Sequence, residues 1–309
     1  MSAARPRRTL FSLGSALALG LFVVASPAAC LAGQAAKAPV FNGTRAFKDL
    51  EHIVGQGPRP AGSPALDRTR TYIRQQIEAA GLEVQDQPFD AQTPIGPIHM
   101  INLRVTLPGV ASDRGRIVIG GHYDTKLFRD FPFVGASDGG SSAAFLIELA
   151  RALKGRRNPL PIELVFLDGE EAVGEWTGTD HTYGSRYYVE DAKRAGTLKE
   201  IRAFILVDMI GDKELGIRRE QHSTDWLKDA IWGTARKLKK PEFIDEETPI
   251  EDDHDEFLAE GVPSVDIIDL DYPAWHQATD DLQHVSAKSM QAVGDVLLAA
   301  LPAIETRLK

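Results

Sequence analysis

The stretch PIELVFLDGEE, residues 161–171, decides the fold class. Its first part, 161–167, is almost continuously apolar, which is typical of a strand buried on both faces of a parallel sheet. Acidic residues follow at once, and Glu170 stands next to Glu171. Two carboxylates about 4 Å apart repel by roughly 4 kcal/mol at an effective dielectric near 20, so the pair indicates either a solvated loop or a site that holds a cation.

Similar apolar runs alternate with segments of helical periodicity along the chain. Strands are predicted at 116–120, 161–167, 201–207 and 265–270, and helices at 65–80, 141–154, 184–195, 225–239 and 286–307, the last with Ser286 as its N-cap. This order of elements predicts an α/β fold, namely a single-domain, three-layer α/β/α sandwich around a mixed, mainly parallel sheet.

Residues with catalytic or metal-binding chemistry follow these strands. They are His122 and Asp124 after the first strand, Glu170 and Glu171 after the second, Asp208 after the third and His276 after the fourth, with Asp138 just before a helix. Because ligands of such sheets bind beyond the carboxyl ends of the strands, we expect these side chains to meet in one pocket. Several carboxylates together need a cation or shared protons, and Zn²⁺ suits a mixed histidine and carboxylate set.

The two adjacent glutamates can have different roles. Neighbouring side chains in extended backbone point in opposite directions, so one glutamate can bind a metal while the other faces the substrate as a general base. Each candidate also has a purely structural interpretation. His122 fits a core histidine, Asp138 a helix cap and Asp208 a strand end. The aromatic residues with a structural alternative in the core are Trp176, Tyr272 and Trp275.

The first 32 residues are predicted to be an export signal. Three arginines precede an apolar run that small residues follow. A membrane anchor is the alternative, but the apolar run is short for a span. We expect 33–44 to be a linker, 45–309 to be the folded domain, and the mature chain to have no membrane span. The product is then periplasmic or secreted, or anchored to a lipid through Cys30, the only cysteine.

The charge of the chain limits its partners. The net charge is -9, and it becomes -12 without the predicted signal, which carries three arginines and no acids. An acidic exported protein has no electrostatic basis for binding nucleic acid. It does suit a cationic ligand such as the free α-amine of a peptide. If the signal is cleaved near Ala32, any metal site must use His, Asp and Glu.

Several motifs, in this order, resemble the zinc exopeptidase superfamily of co-catalytic aminopeptidases. They are GHYD (121–124), ASDGG (136–140), DGEE (168–171), VDMIG (207–211) and WH (275–276). Within that superfamily, further stretches resemble animal-type glutaminyl-peptide cyclotransferases. They are HYDTKLF (122–128), DGEEAVGEW (168–176), YGSR (183–186) and EDDHDEFLAEGVP (251–263). The resemblance covers nearly all of the mature chain and implies that 45–309 is a catalytic domain with the zinc exopeptidase fold.

The resemblance also implies roles for individual residues. In the cyclase branch, one zinc per chain is held by Asp138, Glu171 and His276. Glu170 is the proton shuttle, with Asp208 and Asp252 as an acidic hydrogen-bonded pair beside it. The walls of the substrate pocket are assigned to Trp176, Trp275 and Tyr272. In the aminopeptidase branch there are two zincs, with His122 and Asp208 completing the second site.

The predicted function is therefore that of a zinc-dependent glutaminyl cyclase. It would convert the N-terminal glutamine of a peptide or protein into pyroglutamate and release ammonia. The alternative is a dinuclear zinc aminopeptidase, and a third hypothesis is a non-catalytic binding domain that retains the fold. One departure is that the mature chain lacks the cysteine pair that many animal cyclases carry near this site.

Overall fold

The structure is a computed structural model that describes residues 9–10 and 39–308. The predicted export signal, apart from Thr9 and Leu10, lies outside the described residues, as do Cys30 and residues 33–38 of the predicted linker. The first helix begins at Gly43, two residues before the predicted start of the domain. Within the described ranges, no helix combines the length and the hydropathy that crossing a bilayer requires.

Seven helices and eight strands make up this part of the chain. The helices are α1 (Gly43–Val54), α2 (Pro64–Ala79), α3 (Ser142–Leu153), α4 (Tyr183–Arg194), α5 (Asp225–Leu238), α6 (His254–Ala259) and α7 (Ala287–Arg307). The strands are β1 (Gln85–Thr93), β2 (Gly96–Leu107), β3 (Arg116–His122), β4 (Ile162–Leu167), β5 (Ile201–Asp208), β6 (Ile217–Glu220), β7 (Phe243–Thr248) and β8 (Ser264–Ile268). Each predicted helix and strand is present, with ends shifted by one or two residues.

Short polar side chains fix the starts of three helices. Ser286 accepts a hydrogen bond from the backbone N–H of Ser289 and begins α7 as expected. Ser63 caps α2 in the same way, ahead of a proline in the first turn. Asn42 caps α1 by accepting from the backbone N–H of Arg45.

The six-stranded central sheet has the order β1-β2-β4-β3-β5-β8. Strands β4, β3, β5 and β8 run parallel, whereas β1 and β2 pair antiparallel at one edge. The sheet is therefore mixed and mainly parallel, which confirms the predicted fold class. Strands β6 and β7 form a separate two-stranded sheet.

Helices cover both faces of the sheet. All six residues of β4 are buried, and apart from Glu163 their side chains alternate between two apolar clusters. Phe166 points into the large cluster with α1, α3 and α7, and Val165 points into the smaller one with α4 and α6. This is the three-layer arrangement expected from the continuous apolar runs.

The two ends of the described domain pack together through α1 and α7. The ring of Phe41 lies on Gly294, where any side chain would collide with it. Gln291 accepts a hydrogen bond from the N–H of Gly43 at 2.7 Å and donates one to the carbonyl of Phe41 at 3.1 Å. The start of α1 is thus held by the last helix of the chain.

Candidate active site and metal centre

The carboxyl ends of the parallel strands bring most of the candidate residues together in one cavity of about 570 Å³, although His122 and Asp124 do not line it. Strand β3 ends at His122 and β5 at Asp208, while Glu170 and Glu171 follow β4 directly. The residues that line the cavity include Lys126, Asp138, Glu170, Glu171, Glu175, Trp176, Asp208, Glu251, Asp252, Trp275 and His276. Because Glu170, Glu171 and Asp208 come at the ends of strands in the sequence, their meeting in this cavity could be predicted.

Asp138, Glu171 and His276 present one ligand atom each within 4.8 Å of one another. His276 Nε2 lies 3.4 Å from Asp138 Oδ2 and 3.5 Å from Glu171 Oε1. His276 also has a positive φ of 53°, an uncommon conformation for a residue other than glycine. Two carboxylates and one imidazole are a donor set that Zn²⁺ accepts, and three protein ligands leave a position open for substrate. The residues therefore fit a single catalytic zinc.

The second group of possible ligands is His122, Asp138 and Asp208. His122 Nε2 lies 3.0 Å from Asp208 Oδ1 and 3.2 Å from Asp138 Oδ1. Burial lowers the pKa of His122, but the charges of Asp208 and Glu170 outweigh it and hold this pKa well above its usual value. This group shares Asp138 with the first group, so the two candidate metal positions are adjacent.

Asp124 fixes the backbone of the two adjacent glutamates. Its Oδ1 accepts from the N–H of Glu170 at 3.2 Å, and its Oδ2 accepts from the N–H of Glu171 at 3.4 Å. The backbone N–H of Lys126 in turn donates to Glu171 Oε1 at 3.0 Å. These contacts set the separation between the Glu170 carboxylate and the ligand atom of Glu171.

Glu170 has the environment of a general base. Burial raises the pKa of Glu170 well above its usual value, and the charges of Asp252 and Glu171 add to that rise against the opposing effect of His122. A carboxyl group whose pKa is raised by burial is suited to accepting a proton from a substrate and returning it. The side chain is 9% exposed, so bulk water has little access to it.

Asp208 and Asp252 lie in the same acidic pocket, but Asp252 Oδ2 has no hydrogen-bond partner. Asp208 Oδ1 accepts instead from Ser142 Oγ at 3.1 Å and contacts His122. An aspartate pair shares a hydrogen bond only when one member carries a proton. Burial and the charge of Asp208 hold the pKa of Asp252 well above its usual value.

Two residues that the sequence did not indicate hold the backbone of Asp138 from both sides. Arg59 is fully buried and donates to the carbonyls of Tyr123, Val134, Gly135 and Asp138. Asp280 accepts from the N–H of Asp138 at 3.1 Å and from the N–H of Ser137 at 2.7 Å. Burial lowers the pKa of Arg59 to about 10, so the guanidinium remains charged at neutral pH beside the acidic pocket.

The three aromatic candidates separate into two groups. Trp176 and Trp275 line the cavity, and their rings stack on His181 and His276. Tyr272 is not among the lining residues. Its ring is buried in a small apolar cluster behind the wall, and its hydroxyl donates to Asp280 Oδ2 at 3.1 Å. Tyr272 therefore supports the loop before His276 rather than contacting a substrate.

Comparisons with known proteins agree with this geometry. Residues 102–301 match the family model of peptidase family M28. The chain is 29% identical over 276 residues to a glutaminyl-peptide cyclotransferase-like protein of Mus musculus, covering 79% of this chain and 71% of that protein. It is also 29% identical over 280 residues to a glutaminyl-peptide cyclotransferase of Dictyostelium discoideum, with 76% and 77% coverage. The crystal structure of an Acidobacteriales bacterium glutaminyl cyclase superposes with a TM-score of 0.83 at 38% identity, over 89% of this chain and 98% of that one.

Proposed function

The chain belongs to peptidase family M28, and we propose that it acts there as a glutaminyl-peptide cyclotransferase, an enzyme that converts N-terminal glutamine into pyroglutamate and releases ammonia. This proposal rests on the two hydrogen bonds that the Asp124 carboxylate accepts from the backbone N–H groups of Glu170 and Glu171. It holds a protonatable carboxylate at a fixed position beside the three-residue group of Asp138, Glu171 and His276. The substrates are peptides or proteins with a free N-terminus.

Zinc is the proposed cofactor, with Asp138, Glu171 and His276 as its ligands. When bound, zinc supplies Lewis acidity toward a carbonyl oxygen of the substrate. Arg59 and Asp280 keep the backbone of Asp138 in place, and Lys126 orients the carboxylate of Glu171. One zinc per chain is enough for this assignment.

Glu170 moves the proton that ring closure requires. The nitrogen of the α-amine attacks the side-chain amide carbon of the same glutamine, and Glu170 accepts one proton from that amine. The bond between this carbon and the amide nitrogen breaks, and Glu170 returns the proton to the departing nitrogen, which leaves as ammonia. Because both reacting groups belong to one residue, correct positioning supplies much of the rate.

The pocket walls complete the assignment. Trp176 and Trp275 give apolar surface to the cavity, and Ile268 and Leu270 also line it. Such walls exclude water from the reacting amide, which protects the step from competing hydrolysis. Asp208 and Asp252 supply a shared proton site next to Glu170 when Asp252 is protonated.

Mass spectrometry of a peptide with N-terminal glutamine tests this function. After incubation with the zinc-loaded protein, we expect the peptide to lose one ammonia with its chain intact. Release of free glutamine would instead identify the dinuclear aminopeptidase, for which the group of His122, Asp138 and Asp208 offers a second site. An unchanged peptide, together with no retained zinc, would support the non-catalytic binding domain.

Export is part of the same proposal. We infer that 1–32 directs the chain out of the cytoplasm, so the enzyme is periplasmic or secreted, or anchored to a lipid through Cys30. The arginines and the apolar run of that segment support it. The intact mass of the mature protein distinguishes cleavage near Ala32 from lipid attachment at Cys30.

A further inference from the structure

A second depression of about 490 Å³ adjoins the active-site cavity. Gly174 and Glu175 belong to the walls of both, so this short segment is the ridge between them. The other residues that line the second depression include Gln92, Pro94, Thr177 and Tyr183. A ligand that leaves the active-site cavity over this ridge therefore enters a second concave surface directly.

The ridge is held in one conformation by Asp180. This buried carboxylate accepts from the backbone N–H groups of Val173 at 3.1 Å, Gly174 at 2.8 Å and Glu175 at 3.0 Å. The hydroxyl of Tyr183 also donates to it at 2.6 Å. A surface fixed in this way costs little conformational entropy when a peptide binds to it.

The ridge also carries a negative charge that is open to solvent. Glu175 is exposed, and among the described residues no hydrogen bond or ion pair of its carboxylate is found. Glu251 lies at the same cavity mouth, where it accepts from Trp176 Nε1 at 3.3 Å. Lys126 also lines the active-site cavity. Its Nζ lies 3.8 Å from Glu171 Oε2, so its charge is beside the proposed zinc ligands.

We propose that the substrate residues after the N-terminal glutamine cross the Gly174–Glu175 ridge into the second depression, and that Glu175 favours substrates with a lysine or arginine next to the glutamine. This inference rests on the proposed cyclase function, because the glutamine must occupy the active-site cavity for its neighbour to reach the ridge. It identifies peptides with a basic second residue as the preferred class.

Cyclisation rates of short peptides test whether the charge of Glu175 affects substrate preference. The probes are Gln-Lys-Ala-Ala, Gln-Glu-Ala-Ala and Gln-Ala-Ala-Ala amides, and kcat/KM is measured with wild-type protein, Glu175→Gln and Glu83→Gln. Glu83 is an exposed glutamate outside both cavities and is the matched control. An exposed ion pair is weak, so we expect the lysine-to-glutamate preference to fall about two- to five-fold in Glu175→Gln and to stay constant in Glu83→Gln.

Peptide length tests the path over the ridge. Thr177→Phe places a ring in the second depression, and it should lower kcat/KM for Gln-Ala-Ala-Ala amide more than for Gln-Ala amide. An equal effect of Thr177→Phe on kcat/KM for both peptides would contradict the proposed path over the ridge. An unchanged preference for the lysine peptide over the glutamate peptide in Glu175→Gln would contradict the proposed role of Glu175. Failure of the cyclase assignment is distinguishable, since then no probe would lose ammonia with any variant.

Discussion

His122 and Asp208 are in direct contact, with Nε2 of the imidazole 3.0 Å from Oδ1 of the carboxylate. The same Nε2 lies 3.2 Å from Asp138 Oδ1. The imidazole thus interacts with both carboxylates that a second zinc would need. The same three side chains could instead hold a second metal, so the number of zincs per chain is the first prediction.

We expect the purified protein to bind one zinc per chain, and His122→Ala to retain that zinc. Loss of the imidazole leaves buried carboxylates without their partner, so the free energy of unfolding should fall by about 3 kcal/mol. Elemental analysis gives the stoichiometry, and denaturant titration gives the stability. Two zincs in the wild type and one in His122→Ala would contradict the assignment of His122 as a partner of Asp208.

Glu170→Gln should keep zinc and lower kcat about 10²- to 10⁴-fold, because the amide preserves the shape of the side chain but cannot accept the proton. The matched control is Glu171→Gln, which should reduce zinc binding as well as activity. Ammonia release and zinc content are measured on the same samples. Full activity in Glu170→Gln would remove this residue from the mechanism.

Arg59→Lys should weaken zinc binding about 10- to 100-fold, the usual cost of losing a residue that orients a metal ligand. Lysine has a single nitrogen and cannot reach the four carbonyls that the guanidinium contacts. The control is Arg156→Lys, which disturbs a buried pair with Glu305 away from the lining of the active-site cavity.

Zinc affinity in these two arginine variants is measured by competition with a chelator. Both substitutions should lower the stability of the metal-free protein, so stability alone does not distinguish them. An equal loss of zinc affinity in both would show that Arg59 acts only through general stability.

The buried pair of Glu220 and His254 should make stability depend on pH in acid. Burial raises the pKa of Glu220, but hydrogen bonds from His254 and the N–H of His222 outweigh it and lower this pKa to about 2. A carboxyl with a depressed pKa stabilises the fold above its unfolded pKa near 4.5 and loses that contribution as the pH falls toward 2.

The comparison of wild type with Glu220→Gln measures this contribution. In metal-free protein, Glu220→Gln should be about 2 kcal/mol less stable at pH 6, and the difference should shrink as the pH falls from about 4.5 toward 2. Denaturant titrations at several pH values provide the measurement. A difference that is constant with pH would mean that the carboxylate charge does not contribute.

The parallel strands and their ends could be predicted because the sequence pattern that indicates them is local. Strand β4 is buried on both faces, so every residue is apolar apart from Glu163, and the acids begin where the strand stops. Strand β8 ended earlier than expected, at Ile268. The reason is Asp269, whose carboxylate accepts from the N–H groups of Gly216 and Asp271 and begins the loop.

The antiparallel hairpin of β1 and β2 was not predicted. The buried positions of β1 are Gln87, Phe89 and Ala91, so a glutamine interrupts the alternation of apolar and polar residues that marks a half-buried strand. Gln87 is buried because its side chain bonds to Asn102 and Asp191, and both partners are remote in sequence. No local pattern reveals such a contact.

Arg59 and Asp280 could not be found from the sequence for a similar reason. Their partners are mostly backbone groups of the segment around Asp138, which any sequence provides. The resemblance assigns Tyr272 to the pocket wall, whereas the structure does not place it among the lining residues. Which face of a loop meets the cavity depends on how the loop turns, and here its hydroxyl is drawn inward to Asp280.

The contact between the Phe41 ring and Gly294 constrains the order in which parts of the domain can pack. The ring needs a surface that lies on α7, the last helix, although Phe145 on α3 is available earlier. A nascent chain that still lacks residue 294 therefore cannot complete the packing around Phe41. Until α7 packs, the face of Phe41 that Gly294 covers stays open, so α7 completes the closure of the domain around α1.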